Sequence, residues 1–101
     1  MDIRVTRAEG GATIAMSGRF DFGAHRAFRD AYEQLLQQPD IRSIEINLTS
    51  VEYMDSSALG MLLLLHERAE ACNKSVALCK PNATVSQILD IANFGKLFTI
   101  R

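Results

Sequence analysis

The sequence predicts an α/β fold: a mixed β-sheet with helices packed mostly on one face, in the order β-β-α-β-α-β-α-(β). Three observations carry that expectation. Apolar residues recur at every second position in some stretches and at helical spacing in others, and the two periods alternate along the chain. Strands separated by helices imply a partly parallel sheet with right-handed crossovers. The first two strand-like stretches follow one another across a glycine pair, so the sheet opens with a hairpin. Finally, the strands alternate apolar and polar, whereas a parallel sheet covered on both faces would be apolar on both.

Ile3 and Val5 alternate with Asp2, Arg4 and Thr6 in a first strand, and Glu9-Gly10-Gly11 marks the turn. Ile14 and Met16 alternate with Thr13 and small residues up to Gly18 in a second. The period then changes: Ala24, Ala27, Phe28, Ala31 and Leu35 form a helical stripe, with Arg26, Arg29, Asp30 and Glu33 off it, and Pro39-Asp40 closes the segment. Ile44, Ile46 and Leu48 make a third strand, with Thr49 to Met54 read as a connection. A second helix is expected from about Asp55–Ser57 to Cys72. Asn73-Lys74 turns the chain into a fourth strand, Val76 to Leu78, ended by Pro81. Thr84 and Gln87 have capping-box spacing for a third helix, whose stripe is Val85, Ile88, Leu89 and Ala92, with Gly95 as its stop. Leu97, Phe98 and Ile100 suggest a short last strand.

Residues 1–101 are expected to make one domain, with 48% apolar residues to build its core. Eleven basic residues against 12 acidic ones leave a net charge of −1, without the basic excess that nucleic acid or an anionic membrane favours. The charged, alternating start is unlike a signal peptide, and the apolar run Ala58 to Leu65 is too short to span a bilayer; a cytoplasmic protein is expected. Cys72 and Cys79 read as reduced thiols, one or both buried. No CxxC or Cys/His cluster suggests a metal, and no cofactor is expected. His25 and His66, the only histidines, lie at separate helix positions and make no triad with a serine, so an enzyme is not expected.

The heptapeptide Met54-Asp55-Ser56-Ser57-Ala58-Leu59-Gly60 stands where strand gives way to helix. Asp and Ser are strong N-cap residues, because a side-chain oxygen satisfies a backbone N–H that the helix leaves unpaired. Capping alone explains such a sequence. Equally, a hydroxyl at a helix start is well placed to carry a phosphate, which the free N–H groups and helix dipole favour and neighbouring acids oppose. Met61-Leu62-Leu63-Leu64-Leu65 then puts apolar side chains on most sides of the helix, so either neighbouring helices bury them or some leucine faces a partner.

The chain resembles the STAS-domain anti-sigma factor antagonists of bacteria. Residues 54–60 are similar to their D-S-[ST]-G-L-G phosphorylation motif and follow a similar strand, Ile44 to Leu48. Ser17-Gly18-Arg19-Phe20-Asp21 resembles their G-x-[LF]-D turn, and Phe94-Gly95-Lys96-Leu97-Phe98 their closing G-x-x-x-[LF] region. The resemblance spans essentially the whole chain and implies a single STAS-like domain. It implies Ser56 as the phosphorylated residue, and Asp21, Asp55, Ser56, Ser57, Leu59 and Gly60 as the partner-binding set. The implied partners are an anti-sigma factor that is also a GHKL-type serine kinase, and a PP2C-type phosphatase. The free protein is expected to be a monomer. Ala58 departs from the family, which often has Gly there. The alternative within the same family is a constitutive interaction module, a lipid-transport subunit or signalling scaffold, in which Ser56 is never modified.

Overall fold

The computed structural model describes all 101 residues. β1 (Asp2–Ala8) and β2 (Gly11–Phe20) form the antiparallel hairpin. Ala8 pairs with Gly11, so the turn is Glu9-Gly10, and Gly10 takes φ +76°, a left-handed conformation that favours glycine. β3 (Ser43–Met54), β4 (Ser75–Cys79) and β5 (Thr99–Ile100) follow, each parallel to its predecessor, in sheet order β1-β2-β3-β4-β5. The parallel steps are bridged by α1 (His25–Leu36), which a 3₁₀ turn over Phe22–Ala24 leads in, by α2 (Ser56–Ala71) and by α3 (Ala83–Ile91). A further 3₁₀ turn, Phe94–Lys96, precedes β5.

Strand alternation decides where the core sits. Ala12, Ile14 and Met16 of β2, Ile44, Ile46 and Leu48 of β3, and Leu78 of β4 are buried in one cluster with Phe28 and Leu35 of α1, Leu62 and Leu65 of α2, and Val85 and Leu89 of α3. Each fully buried aliphatic side chain of this kind contributes about 1.5–3 kcal/mol. Phe20, Phe28 and Tyr32 run through the cluster as an edge-to-face ladder, with ring centroids 5.1 and 5.3 Å apart. The intervening strand positions, among them Thr13, Ala15, Glu45 and Asn47, stay partly exposed on the other face, where Arg101 meets Glu45 at 2.6 Å.

Four expectations need correction. The segment Thr49 to Met54 is not a connection, because β3 runs through it to Met54. Ala15 pairs with Asn47 and Ser17 with Ser50, then Gly18 with Val51 and Arg19 with Tyr53, so β3 carries one extra residue at each of two bulges. Each bulge turns the buried spacing from two residues to three: Leu48, Val51 and Met54 are the core positions, and period-two reading loses the strand there. At the first bulge the Asn47 side chain accepts from the Thr49 N–H at 3.0 Å and from its hydroxyl at 2.7 Å.

The stripe of α1 excludes Ala27, which is exposed; Tyr32 and Leu36 are buried instead, because the larger rings and leucine set how the helix rolls onto the sheet. The Thr84–Gln87 capping box does not form. α3 starts earlier, capped by Asn82, whose side-chain oxygen accepts from the Val85 N–H at 2.8 Å while its amide donates to the Val51 carbonyl at 2.8 Å. That second bond ties the cap to β3, which a local motif cannot do. Gly95 is not the stop either: α3 ends at Ile91 and the chain reverses at Asn93, φ 59°, leaving Gly95 inside the 3₁₀ turn. Asparagine is the commonest substitute for glycine in this conformation.

Lys74 is unexpectedly buried. Its Nζ donates to the carbonyls of Gln38, at 2.8 Å, and Ile41, closing the α1–β3 connection onto the end of α2.

Candidate functional site

The carboxyl ends of β2 and β3 place the site. Phe20 and Met54 are register partners, so the residues after them, Asp21 and Asp55, leave adjacent strand ends side by side. The Asp55 N–H donates to the Phe20 carbonyl at 3.3 Å, continuing the pairing one step beyond the sheet. In parallel α/β sheets, this edge, where strands give way to helix N-termini, is the usual binding edge.

Both acids cap helical turns. Asp55, with extended backbone (φ −99°, ψ −177°), accepts from the Ala58 N–H at 2.9 Å and starts α2. Asp21 accepts from the Gly23 N–H at 3.0 Å and starts the 3₁₀ turn that carries Phe22. Because Asp55 supplies the cap, no serine hydroxyl is needed for it. Ser56, the first residue of α2, is exposed, and Ser57 is half-buried. Ala58 is wholly buried, its methyl turned into the core, so it adds nothing to the exposed surface.

Two shallow apolar grooves flank the first turn of α2. One, of about 290 Å³, is lined by Phe22, His25, Ser57, Gly60, Met61 and Leu64. The other, of the same volume, lies between α2 and α3 and includes Tyr53, Asp55, Ser56, Leu59, Ile88 and Ile91. The six residues singled out from sequence therefore come together at one end of the sheet, Leu59 and Ser56 on one side of the helix and Gly60 and Ser57 on the other, with Asp21 holding the turn beside them. Leu59 and Leu63 pack against the core and Leu64 stays 43% exposed, so α2 buries most of its leucine surface within the chain and leaves one leucine outside.

Sequence reasoning misses three of the exposed apolar side chains lining these grooves, Phe22 (69% exposed), Ile91 (78%) and Tyr53; the fourth, Leu64, belongs to the leucine run for which a partner-facing surface is one of the two expectations. Phe22 and Ile91 do leave a trace, since each is a large apolar residue off its helix's buried stripe. Tyr53 leaves none, because the bulges of β3 hide which way it faces. His25 stacks on Phe22, centroids 5.6 Å apart and 13° between planes. The Arg19 guanidinium lies over the Tyr53 ring, 4.9 Å from its centroid.

A hairpin-led mixed sheet with helices between its parallel strands is the fold this chain shares with solved anti-sigma factor antagonists. SpoIIAA, an anti-sigma factor antagonist, superposes with a TM-score of 0.84 in its unphosphorylated form, at 21% identity, covering 99% of this chain and 88% of that one. Its phosphorylated form from Bacillus superposes at 0.77, with 20% identity over 99% of this chain and 91% of that one. The chain belongs to the STAS domain family: the family model described as "Mlab, STAS domain" matches residues 3–99. A STAS-domain containing protein of Pseudomonas aeruginosa is 49% identical over 88 residues, 87% of this chain and 85% of that protein. An anti-sigma F factor antagonist of Paenibacillus polymyxa is 24% identical over 100 residues, 99% of this chain and 86% of that protein. No helix of the chain is long and apolar enough to cross a membrane.

Proposed function

We propose that this chain is a cytoplasmic, bacterial protein-binding switch that catalyses nothing itself. With Ser56 unmodified it binds an anti-sigma factor that is also a GHKL-type serine kinase, and so releases the sigma factor or other target that the kinase holds. The kinase transfers the γ-phosphoryl of ATP to the Ser56 oxygen, which loses its proton, leaving ADP; the modified chain lets go. A PP2C-type phosphatase hydrolyses the ester with water, returning the hydroxyl and inorganic phosphate.

The observation that supports this best is the division of labour at the start of α2. Asp55 caps the helix, and Ser56 stands exposed in a groove with the exposed Tyr53 and Ile91, while the exposed Phe22 and Leu64 line the groove on the other side of α2. A phosphate there adds about −1.5 to −2 charges beside Asp21 and Asp55, in the middle of a surface suited to apolar contact. Binding is lost through charge and desolvation while the cap survives. Asp21, Asp55, Ser57, Leu59 and Gly60 join Ser56 as the contact set, to which Phe22, Tyr53, Leu64 and Ile91 are added.

The test begins with intact-mass analysis of the protein purified from its host, or treated with the cognate kinase and ATP. A gain of one phosphate on Ser56, absent in Ser56→Ala, is expected; no phosphate under either condition removes the reading. Ser56→Ala is expected to keep binding its partner and Ser56→Asp to bind at least tenfold more weakly. The second reading, a constitutive module, draws on the same exposed apolar side chains, which need no phosphate to bind; there Ser56→Asp binds like the parent.

A further inference from the structure

Arg19 and Tyr53 face each other across β2 and β3, one residue before the Phe20–Met54 pair that leads into the site. The guanidinium lies over the ring, 4.9 Å from its centroid, and both side chains are exposed. Tyr53 also lines the groove that Ser56 lines, so one ring both carries the cation and borders the serine's groove. A cation over an exposed ring is held weakly. A guanidinium paired with a phosphate makes two charge-assisted hydrogen bonds and is held much more firmly.

We propose that Arg19 is the counter-ion of modified Ser56. While Ser56 is a free hydroxyl, the guanidinium rests on Tyr53. Once the serine carries a phosphate, the guanidinium leaves the ring and pairs with the ester's oxygens. This rests on Ser56 being the modified residue and adds a movement to that reading. Two outcomes follow at once. The phosphate's charge is partly neutralised, which lets the modified chain persist next to Asp21 and Asp55. The Arg19 side chain is drawn into the groove between α2 and α3, where it covers apolar surface and exchanges the rim of the Tyr53 ring for a charged bridge. The switch then has two discrete arrangements rather than one surface with a charge added.

Toward the site's end of the surrounding elements the other charged groups are Asp21, His25 and Arg26 at the β2–α1 end, Glu52 on β3, Asp55 before α2 and Asp90 on α3. The acids raise the second pKa of a phosphate on Ser56, and a guanidinium seated on it lowers that pKa.

The experiment installs phosphoserine at position 56 by genetic encoding, in the native chain and in Arg19→Gln, Arg19→Lys and Tyr53→Leu, and follows the phosphorus NMR shift with pH. The expected result is a second phosphate pKa at least half a unit higher in Arg19→Gln than in the native chain, with Arg19→Lys between them. Tyr53→Leu, which removes the resting place but not the counter-ion, is expected to match or fall below the native value. Equal values in the native chain and Arg19→Gln overturn the proposal, as does a Tyr53→Leu value as high as that of Arg19→Gln. Because the phosphate is installed rather than enzymatic, these results stand apart from whether a kinase modifies Ser56 in the host.

Discussion

At the residue scale, Asp21 and Asp55 each do two things, and the two can be separated. Each accepts one backbone hydrogen bond as a cap, and each places a carboxylate at the strand ends from which α2 starts. Asparagine retains an amide oxygen as acceptor and drops the charge. Asp55→Ala is expected to cost about 1 kcal/mol, which in a chain of this size lowers Tm by about 4–8 °C; Asp55→Asn is expected to cost much less. If charge matters to the partner, Asp21→Asn weakens binding with the melt within a few degrees of the parent, and Asp21→Lys weakens it further. A titration against the partner beside a thermal melt reads both. A collapsed melt in Asp21→Asn would make the carboxylate structural. Gly60 is a different case. A methyl there meets no atom within 4 Å, so Gly60→Ala fits and is expected to stabilise α2 by about 0.5–1 kcal/mol. It also narrows the groove that Gly60 shares with Phe22 and Leu64, so the more stable variant is expected to bind its partner less well.

At the scale of elements, helices whose ends are defined locally are the legible ones. α2 begins and ends where the sequence says, because Asp55 caps it through its own third following amide. α3 does not, because its cap is chosen by a contact 31 residues away, the Asn82 amide on the Val51 carbonyl. Asn82→Ala is therefore expected to lose about 1–2 kcal/mol, and Thr84→Ala, in the unformed capping box, close to nothing. Chemical denaturation of both variants checks this; equal losses would restore the capping box. β3 teaches the same lesson for strands. Its first half reads cleanly as Ile44, Ile46 and Leu48. Its second half is invisible, because two bulges change the spacing of buried residues exactly where the strand must re-aim toward the site. Lys74 was also illegible: a lysine is ordinarily a surface residue, and only the two carbonyls it reaches, both more than 30 residues away, account for its burial.

For the whole molecule, stability is expected to fall on the alkaline side. Cys79 is buried and Cys72 exposed. Burial and the nearby Glu45 carboxylate push the Cys79 thiol up from its ordinary 9.0, and Arg101 opposes them in part. Burial likewise raises Tyr32 above 10.0, against the pull of Arg68 and Arg29. Both groups are held neutral in the folded chain and ionise more easily when it unfolds. The unfolded state therefore binds fewer protons above about pH 9, and stability declines as pH rises through and beyond that value. Denaturant titrations between pH 7.5 and about 10.5 are expected to show the decline, and Tyr32→Phe to flatten its upper part; a flat profile in the parent would remove the argument. In the same way, an alkylating reagent at neutral pH is expected to modify Cys72 promptly and Cys79 only on unfolding.

Alternating periods, a glycine turn and three motif segments in order were enough to define the class of fold, the hairpin, the order of strands and helices, and the family to which the chain belongs. They sufficed because hydrophobic spacing and capping are local: each is written within a few residues of the element it specifies. The surface around Ser56 is not local. Phe22, Tyr53, Leu64 and Ile91 come from four separate elements, and only the packed sheet brings them to one edge. The bulges of β3, the Asn82 cap and the resting place of Arg19 are likewise set by strand register, a relation between distant segments that no single stretch of sequence contains.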